Sequence, residues 1–317
     1  MSEMAPPQAA PAALALLGPT AVGKSALAYA LARQWPVTVI SVDSAQVYRH
    51  LDIGSGKPDA AERAAVPHEL IDLREPEQSY SAAEFAIDAR AAIKRARAAG
   101  RLPLLVGGTH LYYRALDRGL SPLPPADPVL RGRLQGELAE VGHDALHARL
   151  RALDPQAAAR IHRNDPQRLL RALEVIELTG RPLSEQQQQA GPGTGLPLLA
   201  VALLPSSRTV LHEQIERRLD AMLAAGFVDE VQGLMRRPGF DPLLPAYRSV
   251  GYRQLLEQLP GSGDLHEARA RALYATRQLA KRQLTWLRSE PAVHTGEESQ
   301  VMDLLQAWAQ AWFAAPS

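Results

Sequence analysis

Residues 14–32 read LALLGPTAVGKSALAYALA, an apolar run followed by a glycine-containing loop and an alanine-rich segment. The loop satisfies the pattern G-x-x-x-x-G-K-[ST] between a predicted strand and a predicted helix. In such a loop the backbone N–H groups face one anion, the helix presents its positive end, the lysine adds a charge and the hydroxyl can ligate Mg²⁺. The stretch therefore predicts a phosphate site with Ser25 as metal ligand, formed by Gly18, Pro19, Thr20, Ala21, Val22, Gly23, Lys24 and Ser25.

Strand and helix patterns alternate after this loop. Residues 37–43 (VTVISVD) and 102–109 (LPLLVGGT) have the apolar character of buried strands, and residues 81–100 have the pattern of an amphipathic helix. This βαβαβ order predicts an α/β fold with a parallel sheet flanked by helices, as in P-loop NTPases.

The middle of the chain has a different pattern. Prolines interrupt regular structure at residues 121–128 (SPLPPADP), and the following segment to about residue 189 is helical in pattern without a convincing strand. GPGTG at 191–195 is typical of a flexible return, after which LPLLAVALLP resumes strand character. We therefore expect residues 12–123 and 196–317 to form the core with its C-terminal helices, residues 124–195 to form an inserted all-helical domain, and residues 1–11 to be a disordered tail.

Composition limits the partners. Lys and Arg number 35 against 34 for Asp and Glu among 317 residues, so any surface for nucleic acid must be local. The absence of cysteine excludes disulfides, thiolate-zinc sites and cysteine nucleophiles, and fits the cytoplasmic location that we expect. No apolar run approaches the roughly 20 residues that span a bilayer, so we expect no membrane partner.

The ends of two predicted strands carry the residues that discriminate among functions. Asp43 ends the second strand and should emerge beside the phosphate loop, where it could hold Mg²⁺ or accept a proton. The strand at 102–109 ends in Gly107, Gly108 and Thr109, without the acid that many ATPases and GTPases have there. The two glycines either permit a tight turn or face a ligand. The loop alone does not separate kinases, GTPases and ATPases, because all of them use it.

Six separated blocks make the sequence similar to bacterial tRNA dimethylallyltransferases, over about residues 14–288. They are GPTAVGKS, SVDSAQVYRHLDIGSGKP, VGGTHLYYRAL, RNDPQRLLRALEV, YRSVGYRQL and TRQLAKRQLTWLR. The resemblance implies transfer of a dimethylallyl group from dimethylallyl diphosphate to N6 of adenine 37, beside the anticodon of a tRNA, with Mg²⁺ as cofactor. The loop would then hold the diphosphate of a prenyl donor.

The resemblance also implies catalytic roles. Asp43 would be the general base, Arg218 would stabilise the leaving diphosphate with Arg208 as a weaker candidate, and Thr109 would lie at the channel where donor and acceptor meet. Ser44, Ala45 and Gln46 would line the adenine pocket with Asp43. From the residues alone, Asp43 could instead order Mg²⁺-bound water, and Arg218 could be a solvated helix charge.

Independent support for RNA comes from residues 269–288, which contain six basic residues and no acid. On a helix, Arg277, Lys281 and Arg288 cluster with Tyr274, although a solvated helix face would look similar. Tyr252 is either a stacking partner for a base or part of the core. Together with the blocks, these patterns predict tRNA contacts by Asp43, Ser44, Ala45, Gln46, Thr109, Arg131, Gln167, Arg168, Leu169, Leu170, Arg171, Arg248, Gly251, Tyr252, Arg253, Arg277, Gln278, Lys281, Arg282 and Arg288.

The main alternative is a nucleotide or small-molecule kinase built on the same loop and core. The SVDSAQVY block, the strand ending in GGT and the basic segment favour prenyl transfer to the anticodon stem-loop of tRNA. We expect the protein to be a monomer.

Overall fold

The computed structural model describes residues 11–188, 195–259, 263–290 and 292–315. The tail expected at residues 1–11 and the return expected at 191–195 therefore lie almost entirely outside the described residues. The chain divides into two compact units. The core unit comprises Met1–Asp117 and Gly195–Ser317, and the helical unit comprises Arg118–Thr194.

The core unit contains a six-stranded sheet with the order β3-β2-β4-β1-β5-β6, in which all neighbouring strands are parallel. The strands are β1 Ala13–Leu17, β2 Val37–Val42, β3 His68–Glu69, β4 Leu102–Gly107, β5 Leu198–Leu203 and β6 Val293–Gly296. Strands β1, β2 and β4 are buried at every position, which explains their continuous apolar runs. The predicted α/β fold with a parallel sheet is confirmed.

Helices flank the sheet in the core unit and also form the helical unit. In the first half they are α1 Lys24–Ala32, α2 Ala60–Ala65, α3 Ala82–Ala98, α4 His110–Arg118, α5 Pro128–Leu153 and α6 Pro155–Arg160. In the second half they are α7 Pro166–Thr179, α8 Leu183–Gln188, α9 Arg208–Ala224, α10 Phe227–Met235, α11 Tyr252–Gln258, α12 Leu265–Arg288 and α13 Glu298–Ala314. Among the described residues, no helix has the combined length and apolarity that crossing a membrane requires.

The helical unit has its own hydrophobic core, formed by α5 to α8. Helices α5, α6 and α7 each begin with an aspartate that caps the first turn and a proline just inside it, a strong start signal. At Gly142 the backbone has φ 80° and interrupts α5. Leu169 and Leu170 lie in this core, with 0% and 7% of their surface exposed. Their side chains pack against the neighbouring helices and offer little surface, so contact of Leu169 and Leu170 with tRNA stays a prediction that the packing of these side chains does not favour.

Candidate active site

The order of the strands brings three strand ends together at one edge of the sheet. Strand β4 pairs with both β1 and β2, and the last register positions place Leu17, Gly107 and Val42 side by side. The segments that follow are the phosphate loop, the Gly108–Thr109 turn and the Asp43 turn. Because ligands of open parallel sheets bind at the carboxyl ends of the strands, this edge is the candidate site.

The phosphate loop needs glycine at two positions. Gly18 has φ 150°, and a Cβ there would lie 2.7 Å from the carbonyl oxygen of Leu203. Gly23 has φ 103° and immediately precedes α1, whose first residue is Lys24. The amine of Lys24 turns back and donates to the carbonyl oxygens of Gly18 at 3.1 Å and Pro19 at 2.7 Å. Ser25, in the first turn of α1, is exposed to solvent.

The charge of Lys24 is poised for an anion. Burial, followed by the nearby guanidinium of Arg218, lowers the pKa of Lys24 to about 7, although the carboxylate of Asp43 acts in the opposite direction. A bound polyanion would stabilise the protonated amine, because an opposite charge nearby favours the charged form. The loop therefore gains its full positive charge when an anion binds.

Asp43 forms a tight turn at the end of β2. Its Oδ1 accepts hydrogen bonds from the backbone N–H groups of Ala45 at 2.8 Å and Gln46 at 3.3 Å. Within the described residues its Oδ2 accepts none, so that oxygen is available to a substrate. The backbone N–H of Ser44 donates to the hydroxyl of Thr109 at 3.1 Å, which ties the Asp43 turn to the end of β4.

Gln46 is held from two sides. Its Oε1 accepts from the hydroxyl of Ser41 at 2.8 Å, and its Nε2 donates to the carbonyl oxygen of Gly56 at 3.1 Å. An amide has two donor hydrogens and two acceptor lone pairs, so one of each stays available. Gln46 can therefore pair with a heterocycle in a fixed orientation.

Arg218 extends from α9 into the same cleft. It donates to the carbonyl oxygen of Ser55 at 3.4 Å, and a Cβ at Gly56 would lie 2.0 Å from its Nη2 atom. Burial lowers the pKa of Arg218 and Asp43 raises it, but a guanidinium stays charged at neutral pH. Arg218 is thus a cation of the cleft, whereas Arg208 is exposed at the start of α9 and does not line it.

The loop beside Arg218 is held by a carboxylate that the sequence did not reveal. Glu230 accepts hydrogen bonds from the backbone N–H groups of residues 52, 53 and 54 and from the hydroxyl of Tyr252, at 2.7 to 3.1 Å. Tyr252 is fully buried, and its ring packs edge-on against Phe227. Of the two alternatives for Tyr252, its burial favours the core, and its contact with tRNA stays a prediction. Gly251 is buried as well, and its contact with tRNA likewise stays a prediction.

These groups line one cleft of about 700 Å³, including its open part. Its walls include Thr20, Lys24, Ser25, Ser41, Asp43, Gln46, Ser55, Gly107, Gly108, Arg218 and Gln283. Among the described residues, no group of three or more His, Asp or Glu side chains forms a metal site. Ser25 and Asp43 fit Mg²⁺ that arrives with phosphate, because this ion keeps several waters and needs few protein ligands.

Two residues, one in the wall of the cleft and one near Lys24, were not predicted. Gln283 of α12 is 7% exposed and bonds to both the phosphate loop and the end of β4. His110 stacks on Trp286 with ring centroids 4.0 Å apart, and burial lowers its pKa to about 4. The charge of Lys24 contributes in the same direction. Neither residue belongs to a phosphate-loop pattern, and a glutamine in a basic helix gives no signal of its own.

The basic segment of residues 269–288 is helical, as α12, but only half of its cations are free. Arg269 and Arg277 both pair with Glu216 of α9, at 3.0 and 3.1 Å. Arg271 pairs with Glu267 one turn before it. The side chains of Lys281, Arg282 and Arg288 are exposed and form no ion pair within the described residues. These three are the cations of α12 that are free to meet phosphate.

The other predicted RNA contacts have mixed surroundings. Arg131 and Arg171 both bind the buried carboxylate of Glu174 at 2.7 Å, so they neutralise an interior charge of the helical unit. Gln167 and Arg168 are exposed at the start of α7. Arg248 and Arg253 are exposed around α11, and Gln278 is partly buried on α12.

The chain is similar to proteins of one family. The family model described as IPP transferase matches residues 46–290. A tRNA dimethylallyltransferase of Stenotrophomonas maltophilia is 58% identical over 88% of this chain and 90% of the relative. Another, from Ralstonia nicotianae, is 52% identical over 95% of this chain and 94% of the relative.

Solved structures agree with these sequences. A tRNA isopentenylpyrophosphate transferase of Bacillus halodurans matches with a TM-score of 0.66 and 36% identity, over 94% of this chain and 97% of that one. A eukaryotic dimethylallyltransferase acting on tRNA matches with a TM-score of 0.71 and 26% identity, over 90% of this chain and 73% of that one. These matches confirm the resemblance found in the six sequence blocks. The chain therefore belongs to the IPP transferase family of prenyl-transferring enzymes.

Proposed function

We propose that this enzyme transfers a dimethylallyl group from dimethylallyl diphosphate to N6 of adenine 37 in tRNA. The observation that carries the proposal is the cleft, in which the phosphate loop, its Lys24 and Arg218 of α9 lie beside Asp43. The loop, Lys24 and Arg218 suit an anionic leaving group, and Asp43 suits the role of proton acceptor. A prenyl donor and an amine acceptor need both functions in one site.

The cations would stabilise the leaving group. As the C–O bond of the allylic carbon breaks, negative charge grows on the departing diphosphate, and preorganised positive groups lower the barrier to this step. The backbone N–H groups of the loop, Lys24 and Arg218 are placed to do so. Ser25 would hold Mg²⁺, which supplies further neutralisation of the diphosphate when bound.

Asp43 would remove the proton of the acceptor. When N6 of adenine bonds to the allylic carbon, the nitrogen becomes acidic, and its proton passes to the free Oδ2 of Asp43. The hydrogen bonds at Oδ1 fix the carboxylate in place during this transfer. Gln46 offers one donor and one acceptor to the adenine edge. Thr109 would orient the turn through its bond to Ser44.

The adenine must leave its stack to reach Asp43, as in other enzymes that act on a base. The exposed cations Lys281, Arg282 and Arg288 would hold the phosphates of the anticodon stem-loop near the cleft. The remaining predicted contacts, for example the exposed Arg168 and Arg248, are further candidates. The protein would act as a monomer, as expected from the sequence, and the lack of cysteine fits the cytoplasm.

The test is incubation of the protein with an anticodon stem-loop and one of two labelled donors. We expect label in the RNA with dimethylallyl diphosphate and no phosphoryl transfer from γ-labelled ATP. A stem-loop with guanine at position 37 is the matched control and should stay unlabelled. Transfer of phosphate from ATP to any acceptor, without transfer of the prenyl label, would favour the kinase alternative and contradict the proposal.

A further inference from the structure

The side chain of Gln283 connects the two halves of the cleft. Its Oε1 accepts from the backbone N–H of Thr20 in the phosphate loop at 2.9 Å. Its Nε2 donates to the carbonyl oxygen of Gly108, after β4, also at 2.9 Å. One primary amide thus bridges a main-chain donor of one loop and a main-chain acceptor of the other.

The bridge continues to the Asp43 turn. Gly108 is bonded covalently to Thr109, whose backbone N–H donates to the carbonyl oxygen of Val42 at 3.1 Å. The hydroxyl of Thr109 accepts from the N–H of Ser44 at 3.1 Å. A continuous path of hydrogen bonds and backbone therefore runs from the phosphate loop through Gln283 to the residues on either side of Asp43.

The packing around Gln283 is close. A Cβ on Gly108 would lie 2.3 Å from the Nε2 atom of Gln283 and 3.0 Å from the carbonyl oxygen of Gly18. Glycine at position 108 is thus required for the amide to enter between the two loops. The small residue at 108 and the glutamine at 283 form a matched pair, although 175 residues separate them.

We propose that Gln283 is a positioning residue that sets the separation between the donor cradle and the base. The inference rests on the proposed function. Both polar ends of its amide bond to backbone groups, and it acts by holding Thr20 and Gly108 at a fixed separation. Because reaction rates are sensitive to the placement of reacting atoms, a small drift of the phosphate loop away from Asp43 slows the transfer.

The experiment compares Gln283→Leu with wild type. The matched control is Gln186→Leu, which removes a glutamine of the helical unit that is 6% exposed and also makes two hydrogen bonds. For each protein we would measure the thermal midpoint, the binding of inorganic pyrophosphate by calorimetry, and kcat and KM for donor and for tRNA.

We expect both variants to lose thermal stability, because each leaves buried polar groups unpaired. Gln283→Leu should in addition lower kcat by about 100-fold and weaken pyrophosphate binding about fivefold. Its KM for tRNA and all kinetic parameters of Gln186→Leu should stay near the wild-type values. A folded Gln283→Leu variant with wild-type kcat and pyrophosphate affinity would overturn the proposal.

A second variant covers the case in which Gln283→Leu does not fold. In Gln283→Glu, the ionised side chain still accepts from Thr20 but repels the carbonyl oxygen of Gly108, whereas its protonated form can donate to that oxygen. The ratio of its kcat to that of wild type should therefore rise by about tenfold between about pH 8 and about pH 6. A ratio that stays constant with pH would count against the bridge.

The two proposals fail in different ways. If the wild-type protein transfers no prenyl label, the proposed function is wrong, but the difference in pyrophosphate binding between wild type and Gln283→Leu still decides the role of Gln283. If prenyl transfer occurs and Gln283→Leu behaves as Gln186→Leu does, only the positioning role is wrong.

Discussion

Replacing Asp43 by asparagine separates the structural role of this side chain in the turn after β2 from its proposed role as general base. Asparagine retains an Oδ1 atom that can accept from the N–H groups of Ala45 and Gln46, so the turn after β2 should persist. The substitution removes the basic Oδ2 that would take the proton from N6. Proton transfer by a positioned side chain contributes roughly 10²- to 10⁴-fold to a rate, so we expect kcat to fall by that factor.

Alanine at the same position removes both the hydrogen-bond acceptor of the turn and the proposed general base. Asp43→Ala leaves two backbone N–H groups without their acceptor, at a cost of about 1 kcal/mol each. We therefore expect Asp43→Asn to keep the wild-type thermal midpoint and tRNA affinity within about tenfold, and Asp43→Ala to lose stability as well as activity. The assay is single-turnover transfer from labelled donor to the stem-loop. If Asp43→Asn retained a rate near that of wild type, Asp43 would not be the general base.

Three further predictions follow from the charges. Since Lys24 has a pKa of about 7 and must be protonated to bind diphosphate, donor affinity should fall by about tenfold per pH unit above about pH 7. Lys24→Arg should flatten this pH dependence, and a slope equal to that of wild type would show that Lys24 is not its cause. Lys281→Ala with Arg282→Ala should reduce the salt dependence of tRNA binding by about two phosphate contacts, whereas Arg271→Ala, whose charge is already paired, should change it little. Burial lowers the pKa of His110 from 6.5 to about 4, so its contribution to the free energy of unfolding is complete above pH 6.5 and is lost as the pH falls towards 4. Between about pH 7 and about pH 5 the free energy of unfolding should fall by about 2 kcal/mol from this cause, and urea unfolding of His110→Phe should show a fall smaller by that amount.

The sequence was sufficient for the central strands. β1, β2 and β4 are buried throughout and β5 over its last four residues, all four are rich in apolar residues, and the phosphate-loop pattern defines its flanking strand and helix. It did not predict β3 and β6. His68–Glu69 and Val293–Gly296 are short and polar, and they join the sheet because a neighbouring strand supplies the hydrogen bonds.

Tertiary pairing explains the remaining differences at the candidate site. Nothing in the local sequence distinguishes Arg277, paired with Glu216 of α9, from Lys281, which is free. Tyr252 follows Arg248 in a block with RNA-binding character, yet its hydroxyl donates to the carboxylate of Glu230, 22 residues away in the chain. The sequence does not indicate a role for Gln283 for the same reason, because its hydrogen bonds form only when the fold brings Thr20 and Gly108 to either side of it.

The identity of the molecule in the phosphate loop is the central claim, and an equilibrium titration of the unliganded protein tests it most directly. Dimethylallyl diphosphate with Mg²⁺ should bind, Lys24→Ala should weaken this binding, and ATP should neither bind with comparable affinity nor displace the prenyl donor. Tight binding of ATP that excludes dimethylallyl diphosphate would contradict the account and identify the loop as a nucleotide site.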